Sequence, residues 1–485
     1  MNFRYNKILA VLGVSFLVLF LAFFLFRNTL LHFFLNRKLN EYSERYHTQV
    51  LVSAAGFDGL NGLLLQGIQV APGETDTLLQ IDSVSARIRI LPLLTGKIRF
   101  SSLEIANTFL HLIRKKERSN FSFLMKRKKE INLDSMAGKT DYSRLAERFL
   151  NSVFDAVPAA VNFRNSRISI EKDSLNLLVN VPRFLLSDHA FKTRVDFVEN
   201  KETRSWEALG NIYAGDRKVW LKIFPAAKSA AEFPLLKQKW KLTVAFDTLQ
   251  MDLSNMEYVE NELHLMGKLS AANLQLNHWR ISPNTVVIKN QTVDFLFRVG
   301  TNFFALDSTT SVTYNIVSYH PFLKFQIYPF RQFELDAKLS ECNAQDFFES
   351  FPNGLFENIE GIKTTGSIFY RLHFFIDTRH PDELQFSSYL GKKNFKILGF
   401  GKTALSKING EFLYTAYEKD RAVRTFSVGP SNPNYTPISG ISNFLKTALL
   451  TSEDGNFYSH SGFNEDAFRK SIATNFKEKR FVRGG

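Results

Sequence analysis

From about Val50 to Ser406 the chain alternates apolar and polar residues with a period of two, the mark of strands that bury one face. Val84, Ala86, Ile88 and Ile90 interleave with Ser85, Arg87 and Arg89. Ile368, Tyr370, Leu372, Phe374 and Ile376 alternate with Arg371, His373 and Asp377, while Phe369 and Phe375 make the second face partly apolar. Further strands are expected over 219–224, 241–246 and 292–299, separated by turn signals at Pro72-Gly73, Asn290-Gln291 and Pro352-Asn353-Gly354. Helical spacing is rarer. It is clearest over Tyr142 to Val157, where Leu145, Phe149, Val153 and Val157 recur at intervals of four and Pro158 closes the run. The pattern predicts a large, mainly antiparallel β body.

One stretch breaks the alternation. Ile8 to Phe26 is apolar throughout, softened only by Gly13 and Ser15, and as a helix it measures roughly 28 Å, enough for a bilayer core. It runs through Phe-Phe-Leu-Phe into Arg27 with no small-residue cleavage site, which favours an uncleaved anchor over a signal peptide. The expectation is a single transmembrane helix over 8–26. Arg4 and Lys7 favour an inside N-terminus, but Arg27, Arg37, Lys38 and Arg45 on the other flank leave orientation open on charge alone.

Composition narrows the class. A chain of 485 residues allows about three domains. Hydrophobic residues at 45% and charged residues at 22% exclude a disordered, collagen-like or polytopic membrane protein. The 48 phenylalanines, against 4 Trp and 15 Tyr, require a large core or an apolar groove, and the sequence leaves both open. Net charge is +14, which suits an anionic partner: nucleic acid, anionic lipid or a pyrophosphate carrier. Neither a basic sheet interleaved with aromatics nor zinc-finger spacing is present, so nucleic acid is not expected. The most basic run, 114–129, reads first as a solvated loop and second as a contact for anionic headgroups. A lone cysteine, Cys342, excludes an intramolecular disulfide and leaves the redox compartment open.

The start of the β body, GFDGLNGLLLQGIQVAPGETDTLLQIDSVSARIRILPLLTGKIRFSSLEIANTFLHLIR (56–114) followed by NFSFL (120–124), resembles the N-terminal module of AsmA-like envelope proteins. That resemblance implies a membrane-attached sheet bent around an apolar groove that shelters lipid chains.

After Gly401 the texture changes. GPSNPNYTPISG (429–440) is a turn-rich linker. Ile441, Phe444, Leu445, Ala448 and Leu449 then fall on one helical face, with Ser439 as the expected N-cap. A second helix is expected to open at Asn464 as cap, with Glu465 and Asp466 at its positive end and Phe468, Ile472 and Phe476 as its buried stripe.

Residues 445–485 resemble the opening of the bacterial peptidoglycan glycosyltransferase domain, the transglycosylase module of class A penicillin-binding proteins and of monofunctional transglycosylases. The family's first motif, E-D-x-x-F-x-x-H-x-G, is met at Glu453, Asp454, Phe457, His460 and Gly462, and Gly484 and Gly485 stand in register with the Gly-Gly that opens its second motif. Lys470-Ser471 and Arg483 depart from the family's usual residues. The resemblance implies an enzyme that joins a lipid-linked disaccharide to a growing lipid-linked glycan chain. Glu453 then becomes the general base, while Asp454, Phe457, His460, Gly462, Gly484 and Gly485 shape the loop and cleft. It further implies that the molecule works on the outer face of the cytoplasmic membrane, with the lipid-linked precursor, that membrane and other cell-wall proteins as partners. No cofactor is expected, and no metal ligand set is assigned; whether a divalent cation assists the leaving pyrophosphate stays open. One S-x-x-K, Ser169 to Lys172, lies in a strand-like run and no K-[ST]-G occurs, so transpeptidation is not expected.

The expected fold is α+β. Residues 1–7 form a cytoplasmic N-terminus, 8–26 a transmembrane helix, 27–428 a periplasmic β-rich AsmA-like region, 429–440 a linker and 441–485 the first helices of a truncated α-helical glycosyltransferase domain. A chain ending inside that motif is expected to be an inactive fragment. The alternative is a non-catalytic AsmA-like lipid-handling or envelope-organising protein.

Overall fold

The computed structural model describes residues 2–72, 76–89, 99–115, 118–122, 140–173, 175–227, 231–403, 405, 409–418, 421–460, 462–482 and 484, with side chains from Phe24 onward. Among the residues described with their side chains, strands hold 57% and helices 22%, so the class is mainly β with appended helices, not the α+β expected. The chain divides into two units, Met1–Pro283 with Val287–Thr301 and Asn284–Val286 with Asn302–Gly485.

The first unit opens with one 45-residue helix, α1 (Asn2–Tyr46). Here the expectation of a single transmembrane helix is corrected: among the described residues no helix is long and apolar enough to cross a membrane. The described part of α1 carries Arg27, Arg37, Lys38, Glu41, Glu44 and Arg45, a density of charge that hydrocarbon does not accept. The side chains of 8–23 lie outside the described residues. The placement as a single-pass inner-membrane protein rested on that helix and is withdrawn with it. What the C-terminal half of α1 does is dock on the first hairpin, where Asn28 Oδ1 accepts from the Phe57 N–H at 3.0 Å and the Arg27 guanidinium lies 5.5 Å from the Phe57 ring centre.

The expected period-two body is present. Strands β1 (Thr48–Asp58), β2 (Gly62–Pro72), β3 (Leu79–Ile88) and β4 (Phe100–Lys115) form an antiparallel meander, with β5 (Arg118–Ser119) folding back on β4. Helix α2 (Tyr142–Ala156) then leads to β6 (Ala160–Lys172), which pairs parallel to β4. From β6 the meander continues antiparallel through β7 (Leu175–Ser187), β8 (Ala190–Glu199), β9 (Glu202–Tyr213) and β10 (Lys218–Pro225). A short excursion, β11 (Ala231–Glu232), α3 (Leu236–Trp240) and β12 (Thr243–Phe246), precedes β13 (Thr248–Val259), β14 (Glu262–His278) and β15 (Ser282–Val299). The excursion makes a closed aromatic core, with Phe246 wholly buried and Trp206 within 5.3 Å of both Phe233 and Phe246. The turn expected at Asn290-Gln291 is absent, because β15 runs straight through it.

Register shows where part of the aliphatic content goes. Residues directly opposite one another share a face. One row runs Ala55–Leu65–Val84–Ile105–Phe163–Phe184–Thr193–Ala208–Ile223–Leu249–Ala271 across eleven strands. Two residues along each strand lies a second row, Phe57–Leu63–Ala86–Leu103–Val161–Leu186–Phe191–Gly210–Leu221–Met251–Leu269. Every residue of the first row is half-buried and none is sealed. The result is a continuous apolar face, which deepens over β10, β13 and β14 into a trough of about 360 Å³ lined by Leu221, Ile223, Leu249, Met251 and Leu269. At Gly210 the chain passes so close to Phe191 and the Trp220 carbonyl that any Cβ would collide with them.

The second unit holds β16 (Phe303–Leu306), β17 (Ser311–Tyr314), β18 (Val317–Gln326) and β19 (Gln332–Asn343), then α4 (Ala344–Ser350), β20 (Ile362–Asp377) and β21 (Gln385–Phe400). The order β18–β19–β20–β21 is antiparallel throughout. A separate hairpin, β22 (Phe412–Glu418) and β23 (Arg421–Val428), precedes α5 (Asn443–Asp454) and α6 (Glu465–Glu478). The helix-rich C-terminal domain that was expected is likewise corrected: the described C-terminal part is a hairpin and two short helices joined by turns, not a helical domain.

Candidate functional site

Helix α5 is capped by Ser442, whose hydroxyl accepts from the Leu445 N–H at 3.2 Å, and not by Ser439, which sits in a 3-10 turn (Ile438–Gly440). Its apolar stripe is uncovered: Phe444 is 91% exposed and Leu445 and Leu449 more than half. The helix ends at Glu453 and Asp454, so both carboxylates of the motif stand at its last turn.

Their surroundings differ. Asp454 is bound into the following loop: its Oδ1 accepts from the Asn456 N–H at 3.1 Å, and its Oδ2 lies 2.7 Å from His460 Nε2. His460 Nδ1 accepts from the Gly462 N–H at 3.1 Å, which assigns the ring proton to Nε2 and directs it at Asp454. The bond from His460 holds the Asp454 carboxyl below the usual carboxylate range. Gly462 has φ +96°, a left-handed backbone that strains any residue with a Cβ, although no atom lies within 4 Å to exclude one. The motif therefore closes on itself over Asp454, His460 and Gly462.

Glu453 stays outside that closure. Its side chain is exposed and, among the described residues, has no hydrogen bond or ion pair. Phe457 is 52% exposed and meets Tyr458 edge-on at 5.3 Å. Gly484 lies against α6, its carbonyl accepting from the Ser471 hydroxyl at 2.5 Å; Gly485 lies outside the described residues.

What positions the loop is α6. Asn464 caps it as expected, accepting from the Ala467 N–H at 3.0 Å. Phe468 packs on Phe386 of β21 at 5.0 Å and on Phe463 at 5.4 Å. Glu465 reaches across to accept from the Ser388 N–H of β21 at 2.8 Å, a tie that sequence spacing gave no means to foresee. Between β21 and the loop lies a cavity of about 650 Å³ bordered by Lys392, His460, Asn464 and Glu465.

Residues 419–485 match the Transglycosylase family model. The match starts ahead of the expected boundary and takes in β23 and the 429–440 segment. Among curated proteins, the chain is similar to the biosynthetic peptidoglycan transglycosylase of Janthinobacterium sp. (strain Marseille), 43% identical over 51 residues, which is 10% of this chain and 22% of that protein. The same-named proteins of Herminiimonas arsenicoxydans and Nitrosospira multiformis match at 41% and 39% over the same length and shares. The chain thus spans about a fifth of the length of these relatives. No solved structure matches. These matches show nothing of the AsmA-like module expected over 56–124.

Beyond the transglycosylase segment, one group of metal-ligand type is present among the described residues. Glu334 and Asp336 of β19 and His373 of β20 bring their ligand atoms within 4.8 Å of one another. His373 Nδ1 is 2.7 Å from Asp336 Oδ1, and that bond raises the His373 pKa. Among the described residues, no hydrogen bond or ion pair links the motif to this group.

Proposed function

We propose that this chain carries the base-bearing part of a peptidoglycan glycosyltransferase, acting on lipid-linked disaccharide. The observation that carries the reading is the division of labour at the end of α5. Asp454 is engaged with His460 and the loop backbone, whereas Glu453 beside it is exposed and has no partner among the described residues. In the sugar-joining step the acceptor hydroxyl attacks the anomeric carbon of the donor. Glu453 takes the hydroxyl proton, a new carbon–oxygen bond forms with inversion, and the lipid pyrophosphate leaves with the electron pair of the broken bond. A general base of this kind contributes on the order of 10²–10⁴-fold. Asp454, His460 and Gly462 fix the loop that borders it, while Gly484 is held against α6 by the Ser471 hydroxyl. The chemistry needs no redox or group-carrying cofactor. The active piece is assigned to 441–485 and its lead-in to 429–440. The test is glycan polymerisation by the gene product read through to its natural stop, with Glu453→Gln as the variant. Polymer formation that survives this change removes Glu453 from the mechanism.

A second reading is favoured by the apolar rows of the first unit. A partly open apolar face across eleven strands, half-buried along its first row and open at the trough, is far larger than a scatter of surface leucines and has the chemistry to hold hydrocarbon chains. On this reading the β body handles lipid whether or not the C-terminal segment is catalytic.

A further inference from the structure

Histidine meets carboxylate at several places in this chain, and at two of them a lysine or arginine completes the charge. His111 lies 3.0 Å from Glu171, which also takes Lys115 at 3.1 Å. His264 lies 3.2 Å from Glu262 and 4.0 Å from Glu257, and Arg298 joins Glu262 at 2.8 Å. His373 is different. It stands directly opposite Asp336 in the β19–β20 ladder, and Glu334 lies two residues along β19 on the same face. One imidazole thus meets two carboxylates, and among the described residues neither carboxylate has a lysine or arginine within ion-pair distance. Lys324 of β18 is opposite Glu334 in register, but its ammonium lies 4.9 Å from the Phe303 ring centre instead.

A cross-strand ion pair needs a single carboxylate, and Asp336 supplies it, with Oδ1 2.7 Å from His373 Nδ1. Glu334 is left over: it is half-buried and has no hydrogen bond or ion pair among the described residues. The three ligand atoms lie within 4.8 Å of one another, where donors sharing one zinc ion stand roughly 3–4 Å apart. Both strands are interior to the order β18–β19–β20–β21, so pairing on either side fixes the backbone under all three side chains. The Gln385 side chain of β21 also bonds the His373 ring, as the outer partner of a metal-bound imidazole does. We infer that Glu334, Asp336 and His373 form a binding site for a divalent ion of the zinc class. One imidazole with two carboxylates suits zinc, whereas magnesium prefers oxygen ligands alone. Zinc takes the place of the proton that joins His373 to Asp336, and that proton passes to solvent. Three protein ligands leave a tetrahedral ion one position for water. The site ties β19 to β20 and depends neither on the C-terminal motif nor on the apolar face.

Calorimetric titration of the full chain, freed of metal by dialysis against a chelator, with zinc chloride and with magnesium chloride tests it. One zinc site is expected, at least about tenfold tighter than any further zinc uptake and than magnesium. Glu334→Gln, Asp336→Asn and His373→Gln nearly keep the side-chain size, and each is expected to weaken that site at least about tenfold with an unaltered far-ultraviolet spectrum. His264→Gln, at the pair that Arg298 already completes, is expected to leave it as it was. A zinc site that withstands all three changes, or that falls as far with His264→Gln, overturns the assignment. So does the absence of any zinc site tighter than the background. Magnesium binding as tightly as zinc overturns the ion class.

Discussion

At the scale of single residues, the C-terminal motif separates a structural carboxylate from a free one. Because the His460 bond lowers the Asp454 pKa in the folded state, that bond contributes stability above the unfolded carboxyl value, about pH 3.9, and the contribution is lost as pH falls through the depressed folded value. A carboxyl-carbon NMR titration is expected to place the Asp454 midpoint below that of an ordinary aspartate, and His460→Ala to move it up. His373 has the opposite sign. Its pKa is raised by Asp336, so its contribution is complete below about pH 6.5 and disappears as pH rises through the folded value; Asp336→Asn is expected to bring its imidazole midpoint down. Gly462→Ala is expected to cost about 1 kcal/mol or more by chemical denaturation, since φ +96° strains a residue with a Cβ even where space is open. The identities of Glu453, Asp454, His460 and Gly462 were legible in the sequence as a motif. The resemblance also implied that Asp454 shapes the loop; its contact was not legible, because the 2.7 Å approach of Asp454 and His460 depends on how the intervening loop turns.

Elements show where amphipathy informs and where it stops. The caps at Asn464 and Asp141 follow directly from side chains that accept from N–H groups of the first turn, and the Asn464 cap was readable from the sequence. What each helix covers was not. The stripe Leu145, Phe149 and Val153 of α2 faces solvent, and the helix docks through Phe154, which is 6% exposed. In α6 the buried residues are Ser471 and Ala473, while Phe476 of the expected stripe is 43% exposed. The small Ser471 lets the helix approach the Gly484 carbonyl closely, and spacing alone does not reveal that preference. Phe468→Ala is expected to loosen α6 from β21 by roughly 2 kcal/mol, less than a fully enclosed phenylalanine would cost. Limited proteolysis that cuts within 455–485 faster than in the unaltered protein is the expected outcome.

For the whole molecule, period-two patterning carried the β body and most of its strands, but the apolar rows emerge only once register places residues from eleven strands opposite one another. Neither alternation nor composition distinguishes a closed core from an open face. The membrane helix was misread for a related reason: an apolar run records local hydropathy, and α1 extends beyond it through a charged half that packs on β1. Met251→Glu places a charge in the trough and is expected to weaken binding of a dodecyl chain at least about tenfold, as desolvating an unpaired carboxylate requires. The central claim concerns the other end of the chain. It is tested most directly by supplying labelled lipid-linked disaccharide to the gene product, read to its natural stop, and measuring conversion to glycan polymer for the wild type and Glu453→Gln side by side. Polymer from the first, and a loss of at least about 10²-fold in the second, is the expected result; no polymer from the wild type, or equal polymer from both, contradicts it.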